Sequence, residues 1–106
     1  MSLQPNLNYI HELSGGDKEF EDKMLSILKS EFPTEVAYYK KTIENKDFKE
    51  SAQIVHKIKH KISILGMEES YVLAEQYERE LNSGQVSTHN EFLEVLNSMS
   101  NFLDKL

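Results

Sequence analysis

Apolar residues return at intervals of three and four along nearly the whole chain, and no stretch alternates with period two for long. That spacing predicts helices and no sheet. Leu7, Ile10 and Leu13 predict a short first helix over Pro5 to Leu13. Ser14-Gly15-Gly16-Asp17 reads as a stop and a restart, the glycines suiting a helix C-terminus and Asp17 the next N-cap. Phe20, Met24, Ile27 and Leu28 carry the next helix to Pro33, which either kinks it or opens a new one. The pattern resumes with Val36, Tyr39 and Ile43, and Asn45-Lys46-Asp47 makes a polar turn with Asp47 as a cap. Phe48, Ala52, Val55, Ile58, Ile62 and Leu65 form one stripe that Gly66 stops. Glu68 to Leu81 is a further helix with Leu73, Tyr77 and Leu81 inward, ended by Asn82-Ser83-Gly84. Ser87 or Thr88 caps the last, which turns Phe92, Leu96, Met99 and Leu103 inward. Four main helices with short connections predict an all-α fold, an antiparallel up-down four-helix bundle with a short N-terminal helix covering one end.

Composition narrows the class. A chain of 106 residues is read as one domain over 1–106 with a single modest core. Met1-Ser2-Leu3 has the look of a scar from an expression vector and is given no meaning. The absence of cysteine excludes disulfides, thiolate zinc sites and thiol catalysis, and fits a reducing compartment. With no apolar run of spanning length and no signal-like N-terminus, the reading is a soluble cytoplasmic protein or module without membrane contact. The net charge of −6 argues against general nucleic-acid binding.

Against that acidic background, "IVHKIKHKISILGM" (54–67) gathers two of the four histidines and three of the twelve basic residues. On a helix, His56 falls about a quarter-turn from Val55, at the edge of the apolar stripe. Its neighbours at spacings of three and four are Ala52, Lys59, His60 and Ser63. Lys57, Lys61 and Ile64 are expected to point toward solvent or a partner. The imidazole would be held at its root and open at its tip, which suits a histidine that accepts a phosphoryl group. The lysines would disfavour a second positive charge before transfer and stabilise the dianionic product afterwards. Small side chains at Ala52 and Ser63 would leave room for another protein's active site.

The stretch resembles the signature of histidine-containing phosphotransfer (HPt) domains: a histidine, a lysine three residues on, a small residue seven on and a glycine ten on. His56, Lys59, Ser63 and Gly66 match in order. The resemblance extends over most of the chain, including "DKEFEDKMLSILKSEFPTEVAYYKKTIENKDF" before the histidine and Tyr77-Glu78 after it. The family commonly has glycine directly after the lysine, where this chain has His60, and often leucine where Ser70 stands. The resemblance implies an up-down bundle in a phosphorelay, with His56 as phosphoacceptor and Lys59 as phosphate partner. It implies response-regulator receiver domains and a hybrid sensor histidine kinase as partners. Mg²⁺ would sit on the receiver, with no cofactor on this chain. The chain would be a phosphocarrier rather than an ATP-dependent enzyme, and it carries no Gly-rich nucleotide loop. A monomer is expected.

Other readings stand beside this one. His60 either contacts the partner or occupies an exposed position, and Glu78 either hydrogen-bonds near the site or is an exposed acid near a helix end. His11 and His89 are assigned no chemistry. His56 and His60, four apart, could chelate a metal, but no third ligand is evident and three lysines would repel the cation. A docking or structural bundle without phosphoryl chemistry would share the fold.

Overall fold

In the computed structural model, which describes residues 3–106, the helical spacing becomes five α-helices and no strand among the described residues. They are α1 Asn8–Ser14, α2 Lys18–Glu44, α3 Phe48–Ile64, α4 Glu68–Asn82 and α5 His89–Asp104. Met1 and Ser2 of the suspected vector scar lie outside the described residues, whereas Leu3 packs against the core. Asp17 accepts from the Phe20 N–H at 3.1 Å to open α2, and Asp47 accepts from the Glu50 N–H at 3.3 Å to open α3. Both caps satisfy backbone donors that a first helical turn leaves free. Thr88 holds the N-cap position of α5 but caps nothing with its side chain. Its hydroxyl donates instead to Glu80 Oε1 at 2.6 Å, and Ser87 donates to the same oxygen at 2.9 Å. Glu80 thereby fastens the α4–α5 loop, and these bonds hold its carboxyl below the usual carboxylate range.

Pro33 neither breaks nor restarts a helix; α2 runs through it for 27 residues. The ring is exposed, so the carbonyl it strands lies where water can serve it. The helices that α2 packs against, α1, α3 and α5, have 7, 17 and 16 residues. Three residues expected inward are not: Leu13 on α1 and Phe20 and Ile27 on α2 are 50%, 41% and 49% exposed. Phe32, which the spacing did not select, is buried in their place.

The stripe on α3 is buried as read, except for Phe48, which is only partly buried. Ala52, Val55, Ile58, Ile62 and Leu65 are buried against Tyr77 and Leu81 of α4 and Phe92, Leu96, Met99 and Leu103 of α5. Ile54 is buried as well, and Ile64, expected to face outward, packs partly buried against the core. Tyr38 of α2 donates to Glu50 at 2.7 Å, and Lys61 donates to Glu35 at 3.0 Å, so α2 and α3 run in opposite directions. α3 packs most closely on α4, with α2 on its other side. No helix among the described residues is long and apolar enough to cross a membrane.

Gly66 ends α3 at φ +73°. A Cβ there would lie 2.6 Å from Asn6 Nδ2 and 2.9 Å from Asn6 Cγ. The Asn6 N–H donates to the Leu65 carbonyl at 2.8 Å, so the segment before α1 is tied to this turn. Only glycine meets both the left-handed backbone and the close approach.

Candidate functional site

α3 and α4 together build what α3 alone suggested. His56 Nδ1 lies 3.1 Å from Glu78 Oε2 and 3.2 Å from Oε1. Lys59 Nζ lies 3.1 Å from Glu78 Oε1. One carboxylate from the neighbouring helix thus holds both the histidine and the lysine three residues on. The exposures differ sharply: the His56 side chain is 52% exposed, Glu78 23% and Lys59 10%. Lys59 has its stem inside the bundle and its Nζ 5.5 Å from the centre of the Tyr71 ring. It is a buried cation with a dedicated partner rather than a free charge beside the imidazole.

The pairing fixes the imidazole tautomer. A neutral His56 facing a carboxylate through Nδ1 carries its proton there and donates it to Glu78. The lone pair is then left on Nε2, the ring nitrogen opposite Glu78. His60, one turn on, meets the His56 ring edge-to-face, with centroids 4.9 Å apart and planes at 90°. Ala52, Gln53, Lys57 and Asn82 join His56 and Glu78 around an open hollow of about 400 Å³.

Two expected neighbours are not part of this cluster. Ser63 is seven residues beyond His56 and Gly66 ten, about 10 and 15 Å along the helix. They line a separate groove with Asn6, Tyr9, Glu68 and Tyr71. Gly66 serves the turn, not the histidine. Lys61 requires a correction: it does not face solvent or a partner. Its side chain is 11% exposed and binds Glu31 at 2.9 Å and Glu35 at 3.0 Å on α2. Burial pulls its pKa down, but hydrogen bonds from both glutamates outweigh this and leave it raised. Lys57 is exposed, as expected. Nothing in the sequence linked Lys61 to α2, because the partners lie 26 and 30 residues away and only the packing angle brings them together.

Sequence reasoning also missed a polar chain in the core. Tyr39 and Tyr77 hydroxyls lie 2.5 Å apart, and Tyr39 Oη lies 2.7 Å from His89 Nδ1. Burial raises both phenol pKa values and lowers that of His89. The two hydroxyls and the His89 ring nitrogen form one continuous hydrogen-bonded chain through the core. The signal was tyrosine, a side chain with a polar tip, at two core positions. His11, likewise assigned no chemistry, pairs with Glu21 at 2.9 Å.

Among the described residues, no group of three or more His, Asp or Glu is placed to hold a metal ion. Comparison of the chain with protein-family models, with curated proteins and with solved structures found no match.

Proposed function

We propose that this chain is a histidine phosphotransfer domain in which His56 accepts a phosphoryl group from a receiver-domain aspartate and passes it to another. The observation that carries the reading is the His56–Glu78 contact at Nδ1 on a half-exposed ring. In the neutral ring it puts the proton on Nδ1 and leaves the lone pair on the outward Nε2, the form a nucleophile needs. The match of His56, Lys59, Ser63 and Gly66 to the HPt pattern supports it.

In the step we infer, the Nε2 lone pair attacks phosphorus in line. The Nε2–P bond forms, the bond from phosphorus to the aspartyl oxygen breaks, and the aspartate leaves as its carboxylate. The imidazole gains positive charge while Nδ1 keeps its proton. Glu78 faces that proton and stabilises the charge as it develops. Return of the group to a second receiver reverses each bond change. Mg²⁺ and most of the charge stabilisation on the phosphoryl oxygens belong to the receiver. The chain contributes position and tautomer, and a hybrid sensor kinase supplies phosphate upstream. Lys59 acts mainly by holding Glu78, and secondarily as a positive charge one turn from the phosphoryl group. An antiparallel up-and-down four-helix bundle, acting as a cytoplasmic monomer without ATP chemistry of its own, completes the proposal.

The test is incubation with ³²P-labelled phospho-receivers. Acid-labile, base-stable label should appear on the wild type and vanish in His56→Gln, with the helical CD spectrum unchanged. Binding of receivers without label on any histidine would instead leave a docking bundle. Label mapped to His60 would move the acceptor one turn along α3.

A further inference from the structure

The cationic cluster in the sequence is largely neutralised in the fold. Lys59 is paired with Glu78, and Lys61 with Glu31 and Glu35. Of the remaining basic groups, Lys57 lies further around the exposed face and His60 is in ring contact with His56. Glu78 occupies Nδ1, so a substituent on His56 falls on Nε2, away from α4. His60 follows His56 on the solvent side of α3 and is itself exposed. Helical geometry puts it about 40° further round, away from the α4 side.

We propose that His60 is a second functional side chain of this site: it takes up a proton when His56 is phosphorylated and presents it to the phosphoryl oxygens. This rests on the phosphocarrier reading. The physical basis is the charge change. Phosphorylation places a nearly dianionic group within about one helical turn of an imidazole. An adjacent negative charge favours the protonated form of an imidazole. The proton comes from solvent, and no other bond changes at His60. The groups that also act on it are few. On α3 they are His56, Lys57 and the neutralised Lys59. From α4, Glu78 faces His56, and Tyr71 lines the next groove along α3 with Tyr9 and Glu12 of α1. On the α2 side, Glu31 and Glu35 are occupied by Lys61. The His60 ring itself meets the His56 ring, edge-to-face at 4.9 Å between centroids.

Linkage makes the coupling reciprocal: if phosphate on His56 favours a proton on His60, acid favours phosphate on His56. The phosphorylated carrier is therefore favoured in equilibrium with a receiver as pH falls through the His60 titration, by about threefold to tenfold for half a unit to one unit of displacement.

Phosphoramidate provides the test without a receiver: its P–N bond breaks as Nε2–P forms, and ammonia leaves. ³¹P and histidine-ring NMR would follow wild type and His60→Gln from pH 5.5 to 8.5, about three units around the ordinary histidine range. The His60 titration should move to higher pH on phosphorylation, by about half a unit to one unit. In receiver exchange, the part of the pH dependence removed by His60→Gln should match that displacement. Phospho-His56 with an unmoved His60 titration overturns this inference and leaves the carrier reading intact. Absence of phospho-His56 with both donors overturns both.

Discussion

Lys59 Nζ stands 3.1 Å from Glu78 Oε1, and the lysine is 8% exposed. A buried ammonium with a single carboxylate partner is bound more tightly to that partner than any lysine on an open face. The same carboxylate sets the tautomer of a neutral His56, so the ion pair and the proposed acceptor share Glu78.

Glu78→Gln should therefore affect both. It keeps the shape but removes the charge facing Nδ1, and phosphoryl transfer to His56 should fall by roughly tenfold, in the range of a single positioned hydrogen bond to charge. Leaving Lys59 without its counter-ion should lower stability by about 1–3 kcal/mol. A double-mutant cycle with Lys59→Met, read by urea unfolding, should recover about 1 kcal/mol or more as coupling. Additive single-variant losses would mean that the ion pair contributes nothing.

Gly66→Ala should destabilise by about 1–2 kcal/mol from the left-handed backbone alone, with a further loss from the contact with Asn6. Asn6→Ala in that background should restore the second part only. Thermal unfolding of the two single variants and the double variant separates the contributions, and phosphoryl transfer to His56 should persist in all three.

The His89 contact predicts an acid-sensitive fold. Burial lowers the His89 pKa below its ordinary value of 6.5, so the unfolded chain binds this proton more readily than the folded one. Its stabilising effect is complete above 6.5 and is lost as pH falls from there to the depressed folded value. Protonation would also turn Nδ1 into a donor toward Tyr39 and place a positive charge at the N-terminus of α5. Urea midpoints measured against pH should fall in that window for the wild type and flatten for His89→Gln, which lacks the titration.

Ser70 is fully buried and its hydroxyl has no hydrogen-bond partner. Ser70→Ala removes an unsatisfied polar atom at little cost in volume. Stability should hold or rise by up to about 1 kcal/mol, measured by chemical denaturation. A loss above that would mean the hydroxyl is satisfied in solution.

The sequence by itself determined the helical class, several of the starts and stops, and most of the α3 stripe, because capping and apolar periodicity are local properties of a few consecutive residues. Asp17, Asp47 and Gly66 act where that logic put them. It also put Lys59 and His60 beside His56, since one helical turn is a fixed distance. Only the tertiary structure decided which cations were free. Lys61 turned to Glu31 and Glu35 on α2, and Lys59 to Glu78 on α4, through ion pairs between helices whose packing no local spacing encodes. The same holds for Leu13 on α1 and Phe20 and Ile27 on α2, left half-exposed where no neighbouring helix covers them, and for the Tyr77–Tyr39–His89 chain, whose members come from three helices. What a residue is was legible along the chain; what it touches depended on which helix face the core claimed.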